Sequence, residues 1–315
     1  MKIKTSWNLG LLYKGDNDPR IEKDLVLLEK TCESFEKKYK GKNFTNSPNV
    51  LAKALKNYEE LREIASNYKP WWYFVLRTDL NVNDKKAGAL ATKNEQRINK
   101  AVNKFKFFNL EIAKIDSKKQ KEFLNSKSLK HYQYHLKRVF DRSRYNLSEK
   151  EEQLSTLLSQ TSYTMWIDLT QRILSDESIE HKGKKIPIVE AVMSLADKPK
   201  KDRQLINTKI NDILKSLGDV AEGELNAIYN YKKTMDERRG YKKPYSATIL
   251  GNENKEEFVE SFIDLVSKNF KISNKFFKLH AKLLGDKKLS VADRSAKIGK
   301  VSKKFDFITS VSMFR

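Results

Sequence analysis

The sequence predicts a mainly α protein, a multi-helix lobe of antiparallel helices with one small β-hairpin, and three observations predict it. Apolar residues recur at spacings of three and four through most of the chain, as in Leu51, Ala54, Leu55, Tyr58, Leu61 and Ala65. That rhythm collects them on one face of a helix with 3.6 residues per turn. Helix-start and helix-stop residues bracket those runs. Short extended runs that read as strands are confined to the neighbourhood of Gly183.

The first clear stripe belongs to a helix from about residue 50, with Pro48 near its start and Pro70 after its end. Proline suits a first turn and is excluded from a helix interior, so both mark boundaries. A second long pattern covers 84–113, with Asp84 placed to cap it, and a third runs over 120–140. Ser148 and Glu151 form a capping box ahead of Leu154, Leu157 and Leu158, which starts the next helix sharply. Later helices cover 188–196, 202–217, 222–239, 255–269 and 274–284, with Gly240 and Gly285 as stops.

The β element is a hairpin within 179–189, where Ile179, His181, Lys184 and Ile186 flank a Lys-Gly-Lys turn. Such a hairpin is marginal in water by itself and must lean on helices. A charged, turn-prone stretch at 141–147 separates two expected regions, an N-terminal helical region at 1–143 and a helical lobe with the hairpin at 144–315. Phe305, Phe307, Ile308, Val311, Met313 and Phe314 read as an interrupted helix.

A chain of 315 residues, 39% hydrophobic and 10% aromatic, has the material for a packed core and is long enough for one large domain or two ordinary ones. No apolar run approaches the roughly 20 residues that span a bilayer. The opening MKIKTSWNLG lacks a hydrophobic signal core, so the expected location is cytoplasmic. The net charge of +22 would ordinarily point to nucleic acid or an anionic membrane. Yet 50 of the 63 basic residues are Lys and only 13 are Arg, and they are interleaved with 41 acids. Lysine lacks the planar fork that reads guanine edges. Nucleic acid is therefore not the expected partner, and no membrane is expected.

Local mixtures of bases and aromatics have two readings. Lys104, Phe105, Lys106, Phe107 and Phe108, and again Tyr132, Tyr134, Lys137 and Arg138, could stack bases. At helical spacing they are expected to be core rings with lysines reaching out from the rim. Trp71, Trp72, Tyr73 and Phe74 are expected to pack on a neighbouring helix.

Catalytic chemistry is hard to assemble. The four His stand at 131, 135, 181 and 280, and only His131 and His135 have the i,i+4 spacing of one helical face. No Glu follows the first of them, so the pair lacks the general base that an HExxH helix supplies. Lys130, Lys137 and Arg138 would oppose a bound dication. Cys32, the single cysteine, sits beside Glu33 and reads as a structural thiol in a reducing compartment. Neither a G-x-S-x-G turn nor a phosphate-cradling glycine loop is present. The carboxylate groups Glu59 and Glu60, and Glu149, Glu151 and Glu152, read as solvated faces.

Four stretches carry a resemblance. WNLGLLYKGDNDPRIEKDL begins at Trp7, and LSEKEEQLSTLLSQTSYTMWIDL, holding Trp166, begins at Leu147. ELNAIYNYKKTMDERRGYKKP begins at Glu224, and FFKLHAKLLGDKKLSVADR begins at Phe276. In this order they resemble the N-terminal half of the oligoendopeptidase F family of zinc metallopeptidases. The resemblance implies a cytoplasmic zinc metalloendopeptidase of short peptides, in which a helical body forms two lobes around a channel.

The family's HExxH helix and downstream glutamate have no counterpart in these 315 residues. No catalytic or metal-ligating residue is thus carried over, and zinc is expected only for the full-length family enzyme. The expectation is a non-catalytic portion, truncated before its catalytic site and inactive alone. Arg238, Arg239 and Tyr241, at the RGY helix end, are the candidate substrate-channel residues, with capping and lobe packing as the competing reading. A lobe of this kind is expected to expose an apolar patch and to engage a separate catalytic half or to self-associate. The alternatives are a peptide- or protein-binding scaffold without catalysis and a basic nucleic-acid-binding helical protein.

Overall fold

Ile21, Leu25, Leu28, Cys32, Phe35 and Tyr39 follow one another at spacings of four and three and are all buried, which makes α1 (Pro19–Tyr39) the spine of the fold. Its start is fixed by the Asp18 carboxylate, which accepts from the Arg20 amide, and by Pro19 at the first turn. The computed structural model describes residues 7–66, 68–81, 84–299 and 303–314. The opening MKIKTS, read above for signal character, lies outside the described residues.

Two compact units emerge. The first holds Trp7–Thr164 and Tyr231–Tyr241, and the second holds Met165–Asn230 with the residues from Lys242 onward. The boundary expected at 143/144 falls inside the first unit.

In the first unit, α1 packs with α2 (Pro48–Ser66), α3 (Lys69–Leu80) and α4 (Lys85–Asn103). Leu51, Ala54, Leu55, Leu61 and Ala65 of α2 are buried as their spacing required. Pro70 lies in the first turn of α3, so it both follows one helix and opens the next. The aromatic run after it splits by face: Tyr73 and Phe74 are buried, while Trp72 is largely exposed. Asp84 caps α4 through the Ala87 amide.

Two expected helices are broken. The pattern over 84–113 stops at Asn103 and resumes as α5 (Phe107–Ala113). In one continuous helix Phe105 and Phe108 would share a face while Phe107 pointed away from both. The intervening turn brings all three into the core, where Phe108 stacks on Phe44 and on Tyr58 at 4.7 Å. The pattern over 120–140 divides into α6 (Ser117–Asn125), a 3₁₀ turn (Lys127–Tyr132) and α7 (Gln133–Arg142). Asp116 caps α6, whose only buried side chain is Phe123, and Leu129 and Leu136 anchor the other two pieces. The unit continues through α8 (Glu149–Ser159), opened by the Ser148–Glu151 capping box, into a π-helical turn (Gln160–Thr164).

The second unit opens with α9 (Met165–Asp176), then β1 (Ser178–His181) and β2 (Lys184–Pro187). The strands are antiparallel with Ile179 opposite Ile186. Lys182 and Gly183 both have positive φ, the two-residue turn whose twist suits a hairpin. There follow α10 (Ile188–Ser194), α11 (Lys200–Ser216), α12 (Gly218–Arg239), whose residues from Tyr231 belong to the first unit, α13 (Ser246–Gly251), α14 (Glu256–Lys268), α15 (Phe270–Leu283) and α16 (Phe307–Met313).

Its core is small: Ile179, Ile188, Ala191, Ile206 and Ile210, so the hairpin leans on α10 and α11 as expected. Gly223 of α12 lies against Trp166 so closely that a Cβ there would approach the indole to 3.3 Å. A buried ion pair adds polar fixation. Arg203 reaches Asp293 through Nε at 2.9 Å and Nη2 at 2.7 Å, and Ser290 donates to the same carboxylate. Burial opposes the charge of Asp293, but these bonds outweigh it and hold the carboxyl below the ordinary aspartate range.

Candidate functional site

The RGY end of α12 and the start of α8 form one polar corner of the first unit. Gly240, at φ +78°, ends α12; the Tyr241 amide reaches back to the Asp236 carbonyl at 2.9 Å and the Gly240 amide to Glu237 at 3.1 Å. This closure needs a left-handed residue after the helix, which glycine supplies without strain. It places Tyr241 on Tyr145, rings parallel within 15° and centroids 4.1 Å apart. The Arg144 guanidinium lies 4.7 Å from the Tyr145 ring centre.

Arg239 closes the corner. Its two terminal nitrogens take both oxygens of Glu152, at 2.6 and 2.8 Å, and Nη1 also donates to the Tyr145 carbonyl at 3.1 Å. This is the bidentate fork that arginine alone provides. Burial pushes the Glu152 carboxyl up, yet the Arg239 bonds and charge more than compensate, leaving it below the usual glutamate range. Arg239 is raised for the same reason. Nearby Lys106 is half-buried, and desolvation lowers its pKa. Tyr231, one helix face back, donates to the Ser155 carbonyl at 3.0 Å.

Of the three candidate residues, Arg239 thus ties α12 to α8 and Tyr241 stacks on Tyr145 ahead of α8, while Arg238 is exposed. Glu152 is not on a solvated face as its sequence context suggested, because the Arg239 fork buries it. Glu149 binds Lys40 at 2.7 Å, and Glu151 completes the capping box. Beside the start of α8 an open groove of about 400 Å³ is lined by Phe107, Leu110, Lys114, Asn146, Leu147 and Glu149.

The residues present do not fit a zinc site. Among the described residues no group of three or more His, Cys, Asp or Glu could hold a metal ion. His131 and His135 fall on different elements, the 3₁₀ turn and α7, so the helical register that would pair them is broken. His131 Nε2 lies 3.4 Å from Glu59, which also accepts from Tyr132 at 2.9 Å. His135 is half-buried 3.2 Å from Asn109, and desolvation lowers its pKa. Cys32 is fully buried, and burial pushes its thiol up to about 12, the opposite of an activated nucleophile. Sequence reasoning missed Glu152, Tyr145 and the Arg203–Asp293 pair. All three meet partners far away in sequence, for which no local signal exists.

A family model described as oligopeptidase F matches residues 111–177. The fold is similar to oligoendopeptidase-F from Enterococcus faecium, with a TM-score of 0.73 at 15% identity over 89% of this chain and 56% of that one. It is also similar to a Chlamydophila abortus chain provisionally assigned as a peptidase, with a TM-score of 0.62 at 14% identity over 98% of this chain and 52% of that one. The chain therefore spans about half the length of the solved structures it matches, and at these identities the likeness is one of fold. Among curated proteins none matches.

Proposed function

We propose, from the premise that this chain carries an oligoendopeptidase-F-like N-terminal domain, that it is the non-catalytic portion of a cytoplasmic zinc oligopeptidase that hydrolyses short peptides. The observation that carries the reading is the shared fold over 89% of the chain together with the family match at 111–177. Zinc chemistry requires about three protein ligands and an open position for water. The described residues offer no such set, so the catalytic groups are assigned to the other half of the fold.

In this reading the chain positions and admits peptide rather than cutting it. Arg238, exposed beside the packed Arg239 and Tyr241, is the proposed channel contact, a cation suited to a peptide carboxylate. The buried, unreactive Cys32 supports a reducing location. No described helix is long and apolar enough to cross a membrane.

The test is metal content and cleavage of internally quenched peptides by the purified chain. The expected result is neither stoichiometric zinc nor turnover. Chelator-sensitive cleavage by the chain alone would sink the proposal and require a site within these residues.

A further inference from the structure

Two helices of the second unit turn their apolar faces to solvent. In α14, Phe258, Phe262, Leu265 and Val266 share one face, and in α15, Ile272, Phe276, Leu279 and Leu283 do so at spacings of four, three and four. Phe258 is 67% exposed, Phe262 58%, Phe276 57% and Leu279 54%, and none of the described residues of α14 is buried. The polar side of α14 is occupied within the unit. Glu256 and Glu260 bind Lys243, and Glu260 also accepts from Tyr245 at 2.8 Å. Within the unit α14 is held through Glu256 and Glu260, while its rings face solvent, where a solvent-facing amphipathic helix would present polar residues.

The area is large enough to matter. At roughly 100 Å² exposed per large apolar side chain, about half of what an aromatic ring can bury, these rows present on the order of 800 Å². Summed over both helices, that equals one partner's share of a standard interface. Lys271, Lys275, Lys278 and Lys282 run alongside the α15 row, and among the described residues none of the four forms an ion pair.

We propose that the α14–α15 faces are the docking surface for the complementary half of an oligopeptidase-F-type fold, apolar opposite the two rows and acidic opposite the α15 lysines. This rests on the functional reading above. The occupant is selected by length, since both solved folds similar to this chain have nearly half of their own chain outside the match. Charge selects against a second copy, which would bring another +22 to a lysine-edged face.

The experiment is sedimentation velocity on the 315-residue chain mixed with the part of Enterococcus faecium oligoendopeptidase-F outside the match, produced separately. A 1:1 complex is expected, weakened at least about tenfold by Phe262→Glu with Phe276→Glu. It should also weaken between about 50 and about 500 mM salt, and Lys275→Glu with Lys278→Glu should remove that salt dependence. Trp72→Glu, on the first unit, should leave the complex unchanged, and circular dichroism checks each variant for folding. No complex, a complex indifferent to the paired Phe variants, or a homodimer broken by them would each overturn the assignment. Peptide cleavage is read in parallel. A stripe-dependent complex that cuts nothing keeps the docking surface and sinks the peptidase reading, whereas cleavage indifferent to the Phe variants does the reverse.

Discussion

The two units of this chain use the same kind of amphipathic helix and differ in what its apolar face meets. In the first, the row on α1 from Ile21 to Tyr39 closes against α2, α3 and α4, and an aromatic cluster around Phe35, Phe44, Tyr58 and Phe108 fills the interior. In the second, the core cluster among the described residues is the small group of Ile179, Ile188, Ala191, Ile206 and Ile210 near the hairpin, and the rows on α14 and α15 face solvent. The difference teaches that periodicity specifies a face but not its partner. Burial, which supplies most of the stabilisation, has to be read from the fold.

That contrast can be broken most directly by equivalent truncations. Phe108→Ala should cost about 3–5 kcal/mol, whereas Phe262→Ala, on an exposed ring, should stay within about 0.5 kcal/mol. Urea unfolding of the two variants measures this, and similar losses at both positions would abolish the distinction between the units.

Next in size is the buried Arg203–Asp293 pair of the second unit. Asp293→Asn leaves Arg203 buried without its counter-ion and should cost about 3 kcal/mol. Because the folded carboxyl of Asp293 is depressed, its contribution is complete above the ordinary aspartate pKa of about 4 and is lost as pH falls through the lower folded value. Acid titration of the second unit's unfolding should therefore lose part of its pH dependence in the variant.

The corresponding pair of the first unit is smaller. Glu152→Gln keeps the shape but weakens the Arg239 fork, and a loss of about 2 kcal/mol is expected. The sign of its pH dependence is the same, since the folded carboxyl of Glu152 is also depressed: full stability above the ordinary glutamate range, declining in acid. Smaller again is Gly240→Ala, where φ +78° strains an alanine although nothing lies within 4 Å of its Cβ. About 1 kcal/mol is expected, measurable as a shift of the thermal midpoint.

These comparisons also show what the sequence could carry. The capping box at Ser148, the cap at Asp84, the glycine stop at Gly240 and the hairpin turn around Gly183 are local chemistry, and each falls where the residues indicated, although Lys184 of the expected Lys-Gly-Lys turn already belongs to β2. The interruption at 104–106 was illegible, because periodicity cannot register that three phenylalanines converge on one cluster. Pro70 signalled a boundary correctly, but the helix it opens became visible only in the fold. At the candidate site the RGY helix end was legible, while Glu152 looked like one more solvated acid. Its fork to Arg239 joins residues 87 apart in sequence.

The proposed reading, a non-catalytic half of a peptidase that acts only with its complement, is the one to test. The most direct measurement is the cleavage rate of a quenched fluorescent peptide by the chain, by a separately produced HExxH-bearing half, and by their mixture. Chelator-sensitive turnover in the mixture, well above the sum of the separate rates, is the predicted result. A mixture no faster than that sum, with the two halves shown to be associated, would contradict it.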